Sequence, residues 1–320
     1  MDFLFRLVDP VQSWLFETLV LPGLFHAGFV DYADEAYHAT GLFVLAVVEI
    51  AVIYALLRPL EALRPVEPWS NRRALRVDVL YTFLYRSGAL PLLFFILLQP
   101  LLHPLETGLR AAGYLPPNLE ELVPWLQDRP LAAFLAYALV IDLAEYWLHR
   151  LQHRFGWWWA LHAVHHSQQQ LSFWADDRNH VLDGLLSSLW LALVALAIGV
   201  PGNQFFALVL FKRFIESLSH ANLRFSFGVV GERLLVSPRY HRIHHGIGVG
   251  HEGVARGCNF ATLFPVWDML FGTANFGRDY PATGIRDQLA GADYGDGFLN
   301  QQWLGLKRLA RALWPAPAGR

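Results

Sequence analysis

The chain has 320 residues, of which 54% are hydrophobic, 14% aromatic and only 16% charged, where an ordinary soluble domain is roughly a quarter charged. Its net charge of −2 offers no basic face to a nucleic acid, and the single cysteine, Cys258, excludes both an internal disulfide and a thiolate metal cluster. With a mean hydropathy of +0.30, the chain reads as a membrane protein in which any metal must be held by histidine and carboxylate. Lysine occurs only at Lys212 and Lys307 while arginine, alanine and leucine abound, a composition that fits a GC-rich bacterium and hence its inner membrane.

Residues 3–30 alternate apolar patches with Asp9, Glu17 and Pro22, which fits an interfacial helix followed by a short or re-entrant segment. Asp2, Arg6 and Asp9 interrupt the first apolar run, so it does not read as a cleaved leader. Gly41 to Leu57 is the first expected span, broken only by Glu49, which is expected to be neutral or paired within the bundle. The connector 58–77 carries Arg58, Arg64, Arg72, Arg73 and Arg76 and is therefore expected to be cytoplasmic. A second span is expected over Val79 to Leu102, with Arg86 snorkelling at its cytoplasmic end, and residues 103–129, rich in proline and acidic groups, form an external loop.

A third span begins at Leu131 and turns polar at Asp142, and a fourth and fifth, Leu182 to Val200 and Phe205 to Ile215, form a hairpin. Past His220 a polar and aromatic cytoplasmic cap is expected. Phe298 to Trp314 is amphipathic, suited either to an anionic membrane surface or to packing on the cap. The predicted fold is thus an all-α integral membrane protein with four to five transmembrane helices and a helical cap. Its expected divisions are an N-terminal membrane region 1–129, a catalytic domain 130–275 and a C-terminal tail 276–320.

Histidine is the informative residue. His149 and His153 are four apart; His162, His165 and His166 follow at offsets of zero, three and four; His241, His244 and His245 repeat that spacing. On a helix each set projects imidazoles from one face. Neutral imidazole is the commonest transition-metal ligand, and eight rings exceed what one tetrahedral ion takes, so the count points to a two-metal site. All three sets fall on the arginine-rich side of the predicted topology. His180 and His220 sit at the same rim, each beside a carboxylate, Asp183 and Glu216, and are placed to complete the metal shells. Glu145 lies one turn and Asp142 two turns behind His149 on the same face; Asp142 would hydrogen-bond a ligand ring, and Glu145 is placed either for that role or as a direct ligand. Trp157 to Trp159 are expected at the headgroup level. His26, His38 and His103 are expected to be unrelated to the site, and His251 to lie in solvent. The HExxH signature is absent, a bis-imidazole haem would use isolated histidines within spans, and a metal transporter would line its spans with ligands.

The ordered sets His149-x3-His153, His162-x2-His165-His166 and His241-x2-His244-His245 resemble the histidine boxes of the fatty acid hydroxylase/sterol desaturase superfamily of membrane-bound di-iron enzymes. The similarity extends to Asp176 to His180, to Ser219-His220-Ala221-Asn222, to Ser237 to Tyr240, to Asn259-Phe260 and to Trp267 through Thr273, covering roughly residues 130–275. Asn179 and Val181 depart from the family's usual Phe and Pro, and Phe260 from its usual Tyr, which bears on the substrate group. The resemblance implies O2-dependent hydroxylation or desaturation of a membrane lipid at two iron ions, a cage that also takes zinc, with His180 and His220 as further ligands. It implies electrons from a separate ferredoxin- or cytochrome b5-type partner. A non-catalytic metal- or lipid-binding protein and a zinc hydrolase on the same cage remain the competing readings.

Overall fold

The computed structural model describes residues 2–250 and 256–314; His251 lies outside the described residues. The chain is helical throughout, and among the described residues only isolated bridges pair extended backbone, Asn118 with Gly199 and Gly246 with Thr283. In order the helices are α1 (Asp2–Leu15), α2 (Leu21–Ala27, after a π-helical turn Phe16–Val20), α3 (Ala33–Leu63), α4 (Arg72–Arg86), α5 (Ala89–Ala111), α6 (Leu119–Leu122) and α7 (Pro130–Arg154). Then come α8 (Gly156–His166), α9 (Val181–Ala197), α10 (Gly202–His220), α11 (Gly228–Gly231), α12 (Pro238–His244), α13 (Val266–Leu270) and α14 (Phe298–Leu313).

Among the described residues, three helices are long and apolar enough to cross a membrane: Val30–Leu63, Ala89–Ala111 and Pro130–Arg154. The first runs through the expected stop, since Pro59 is accommodated inside α3. The expected second span divides at Ser87-Gly88, where Gly88 takes φ +91° and starts α5. Glycine holds that left-handed conformation without a Cβ clash. α9 is a shorter apolar helix of 17 residues; it packs on α5, α7 and α8, while α10 packs on α7, α3 and α12, so the two follow each other in the chain with α7 as their shared neighbour. The turn between them at Gly199 donates its amide to Pro117 O at 3.1 Å.

Buried charge ties the bundle together. Arg86 does not snorkel; its guanidinium is buried and meets Asp177 at 2.7 Å, Asp176 at 2.6 Å and Glu49 at 3.2 Å. Glu49 also pairs with Arg213 at 2.9 Å, so the intramembrane carboxylate is paired within the bundle. A buried charge this far from water persists only with such partners. Below the histidines, Ile50, Ile53 and Leu57 pack with Phe173, Trp174, Ala221 and Leu223, while Tyr137, Ala138 and Leu208 pack with Leu119 and Leu126 at the opposite end. α14 packs against α8 and α4, burying Gln301 and Gly305 and leaving Leu299, Trp303, Leu306 and Leu313 exposed.

Candidate metal centre

α7 delivers His149 and His153 at its C-terminal end, α8 delivers His162, His165 and His166, α10 ends on His220, and α12 supplies His241 and His244 with His245 just beyond. All nine are buried. They gather into two tetrads whose ligand atoms lie within 4.8 Å of one another, His149/His153/His162/His166 and His165/His220/His241/His245. His244 joins His166 and His245 in a third grouping between them, and the rings of His166 and His245 stack at 4.4 Å.

The inner nitrogens converge closely. Nε2 of His166 is 3.1 Å from Nε2 of both His153 and His244. Nε2 of His241 is 3.1 Å from that of His245 and 3.0 Å from that of His220, which is 3.3 Å from Nε2 of His165. Two nitrogens each about 2.0–2.1 Å from a shared ion lie about 2.9–3.4 Å apart at octahedral to tetrahedral angles, so these spacings are those of ligands to a common cation. Nε2 of His149 and of His162 are buried with no hydrogen-bond partner, which costs free energy unless something electrophilic sits between the rings. The donor set fits two transition-metal ions.

The outer nitrogens fix the tautomers. Nδ1 donates to a main-chain carbonyl from His149 to Phe260 at 2.8 Å, from His165 to Arg178 at 3.1 Å, from His220 to Glu216 at 2.8 Å and from His244 to Cys258 at 2.7 Å. With the proton held at Nδ1, each Nε2 lone pair faces inward. Burial also holds the imidazoles of His165, His166, His241 and His245 well below their ordinary value, and that of His244 down to about 3. They are therefore neutral, the form a metal binds.

The carboxylates divide differently from the expectation. Asp183 takes the role of an orienting acid, accepting from His162 Nδ1 at 3.0 Å, Trp158 Nε1 at 2.8 Å and Gln152 Nε2 at 2.9 Å. Asp142 touches no imidazole. It accepts from the amides of Thr262, Leu263 and Phe264 and from Thr262 Oγ1, and so anchors the segment that presents the Phe260 carbonyl to His149. Glu145 is not a ligand; it pairs with Lys212 at 3.0 Å and accepts from Thr262 Oγ1 at 3.1 Å. Glu216 meets His220 through its main-chain oxygen, while its carboxylate pairs with Lys212 at 2.9 Å.

His180 stands outside both tetrads. Its Nδ1 accepts the Leu182 amide at 3.1 Å and its Nε2 donates to Gln302 O at 2.9 Å, so the ring caps α9 and docks α14. His26, His38 and His103 are remote from the tetrads and contribute to none of the histidine groups. Trp158 and Trp159 are buried inside the protein; Trp159 packs on His153 and His166 at 4.9 and 5.0 Å.

The closing loop explains two other motifs. Arg256, Gly257 and Asn259 all have positive φ, and a Cβ on Gly257 would stand 2.9 Å from the Phe260 ring and 3.0 Å from His153 Nδ1. Asp268 fixes the next stretch of chain, accepting from the Phe260 and Ala261 amides, Tyr240 Oη and Thr273 Oγ1. The Trp267-to-Thr273 segment is thus a brace for the loop that carries two of the orienting carbonyls.

The sequence reading missed Lys212, Asp176 and Asn179 as residues lining the site. With Glu145, Gln152, Ser187, Leu191, Glu216 and several of the histidines they bound a cavity of about 190 Å³. The available signal for Lys212 was an ionisable group inside an apolar run.

Residues 134–273 match the family model for fatty acid hydroxylase. That segment, less than half of the chain, is where it is similar to the fatty acid hydroxylase family. It is 30% identical over 151 residues to alkylglycerol monooxygenase of Danio rerio, an alignment covering 47% of this chain and 32% of that relative. It is 27% identical over 255 residues to very-long-chain aldehyde decarbonylase GL1-10 of Oryza sativa subsp. japonica, covering 78% and 79%. To methylsterol monooxygenase 1-3 of Arabidopsis thaliana it is 26% identical over 202 residues, covering 61% of each. The chain spans about a third of the length of the alkylglycerol monooxygenases it matches. No solved structure matches it.

Because Asp183 is the carboxylate hydrogen-bonded to a tetrad ring, Asp183→Asn is expected to weaken metal binding by about 10- to 100-fold. Chelator competition on the purified protein measures this; unchanged affinity would reduce the contact to packing.

Proposed function

We propose that the protein is an O2-dependent lipid hydroxylase or desaturase whose catalytic unit spans residues 130–275. Its site is two adjoining histidine groups, with His149, His153, His162, His166 and His244 on one side and His165, His220, His241 and His245 on the other. The observation that carries this reading is the convergence of buried Nε2 atoms at 3.0–3.3 Å within a chain similar to this family. Bound there, a pair of iron ions supplies dioxygen activation and removal of hydrogen from an unactivated carbon. The protein's own residues hold the rings in one tautomer through four carbonyls and Asp183, and exclude water with Trp159 and Phe260 packed against the imidazoles. The substrate is a membrane lipid, reached from the bilayer side, and the two electrons come from a separate ferredoxin- or cytochrome b5-type partner. By the arginine-rich connector 58–77 the histidine end faces the cytoplasm of a bacterial inner membrane.

Membranes from cells with and without the protein, grown under 18O2, test the proposal by lipid mass spectrometry. The expected result is one lipid class that gains one labelled oxygen or loses two hydrogens. Product oxygen drawn only from labelled water would instead establish a zinc-type hydrolase, and an unchanged lipid profile a binding protein.

A further inference from the structure

A second, larger cavity of about 520 Å³ adjoins the histidine chamber. Its walls are three stretches of near-equal length, Tyr137 to Glu145 on α7, Leu191 to Ile198 at the end of α9 and Phe205 to Lys212 on α10. At 1.5 Å per residue each runs about 10–12 Å along its helix. The two cavities share Glu145, Leu191 and Lys212, so those three residues form the neck between them.

The two ends of this combined space differ in chemistry. Away from the neck the walls are apolar, with Ala138, Ile141, Val194, Ile198, Val200 and Leu208 among them. The polar residues lining this cavity besides those of the neck are already partnered: Tyr137 spends its hydroxyl on the Leu119 amide at 2.9 Å and on Glu120, and the Arg213 guanidinium pairs with Glu49 at 2.9 Å. A headgroup there would lose its hydrogen bonds to water without replacement, at about 2–7 kcal/mol per polar group. At the neck Lys212 is held between Glu145 and Glu216 and is still 27% exposed. On the wall of the histidine chamber that Lys212 also lines, Asn179 Oδ1 is a buried acceptor with no partner. Two carboxylates, one ammonium and an empty amide acceptor suit a head that donates hydrogen bonds, and they repel an anionic one.

Resting on the oxygenase reading above, we propose that Lys212 and Asn179 are specificity-determining residues. They hold the uncharged, hydroxyl- or amide-bearing head of a lipid where the chamber meets the neck, with its chain pointing away along α7, α9 and α10, so that a carbon next to the head faces the histidines. Such a lipid keeps the orientation it has in the leaflet on the histidine side, head toward that surface and tail toward the midplane. The chain tip, at the far end of the apolar cavity, is the part held furthest from the chamber.

Photo-crosslinking of the full chain in nanodiscs tests this independently of turnover. The probes are palmitoyl glycerol carrying a diazirine either beside the ester or at the chain tip. The first is expected to label Leu148 and Leu191 peptides and the second Ile198 to Val200, both competed by unlabelled palmitoyl glycerol but not by palmitate. The Glu145→Gln/Lys212→Met double variant, which removes both charges of the pair together, and Asn179→Ala are each expected to blur this end discrimination by about tenfold, the weight of one charge-assisted hydrogen bond. Lys212→Arg is expected to keep it. Labelling of the chamber by the chain-tip probe, discrimination untouched by the variants, or no competed labelling overturns the proposal. If the labelling pattern holds while no lipid gains oxygen or loses two hydrogens, the oxygenase reading fails and the headgroup site stands.

Discussion

Replacing His162 or His241 by alanine is expected to lower the metal content of the purified protein from close to two ions per chain to close to one, each variant emptying a different tetrad. His162 belongs to the group with His149, His153 and His166, and His241 to the group with His165, His220 and His245. The tetrads touch through the His166 and His245 rings, yet each has its own set of orienting partners: Asp183 and the Phe260 carbonyl for one, the Arg178 and Glu216 carbonyls for the other. Loss of one ligand therefore collapses one site first. Turnover is expected to fall by at least about 10²- to 10³-fold in both variants, the scale of losing one preorganised element of transition-state stabilisation. His180→Ala serves as the comparison. Its ring nitrogens are committed to Leu182 and Gln302, so that variant is expected to keep both ions and lose only helix-cap stability, about 1 kcal/mol. Elemental analysis reads all three. Loss of an ion from His180→Ala, or retention of both in His162→Ala and His241→Ala, contradicts the two-tetrad arrangement.

The histidine sets were legible because a helix turns spacing into direction: offsets of three and four on α7, α8 and α12 put the rings on one face, and the structure needs no more than that to bring them together. The order of the helices is carried by the same kind of local signal. His180 shows where local signals stop. At the start of α9 its backbone is extended, φ −69° and ψ 135°, and the ring folds back onto its own helix's amide. Spacing from Asp183 made it look like a ligand, whereas Asp183 itself reaches across to His162. Arg86 failed for a related reason. The rule for snorkelling describes helices facing lipid, whereas Arg86 faces Asp176 and Asp177, partners some 90 residues away. Lys212 carried a readable warning, a cation in an apolar run, but its two carboxylates are one turn along α10 and on α7. Only the helix packing joins them.

The same limit makes Asp142 the most informative single position for stability. Two turns behind His149, it was expected to brace an imidazole; instead its oxygens take the Thr262 amide at 3.1 Å, Thr262 Oγ1 at 2.9 Å, the Leu263 amide at 2.8 Å and the Phe264 amide at 2.8 Å. It is fully buried. Asp142→Ala strands three main-chain donors in a packed interior and removes the tie between α7 and the closing loop, so unfolding is expected to become easier by about 3–5 kcal/mol. In a thermal melt this is a drop of about 5–10 °C. Asp142→Asn keeps the shape but turns an NH2 toward one of the donors, and its melt is expected to fall between the two. The loss should also travel to the metal. The Phe260 carbonyl that orients His149 sits two residues before Thr262, and the Cys258 carbonyl that orients His244 sits two before that. Metal is therefore expected to leave the His149 tetrad, which lies against this loop, before the His241 tetrad, whose orienting carbonyls lie at Arg178 and Glu216. Equal loss from both tetrads, or a melt within about 1 kcal/mol of the unaltered chain, would show that the loop is held by Asp268 and Asn259 without α7.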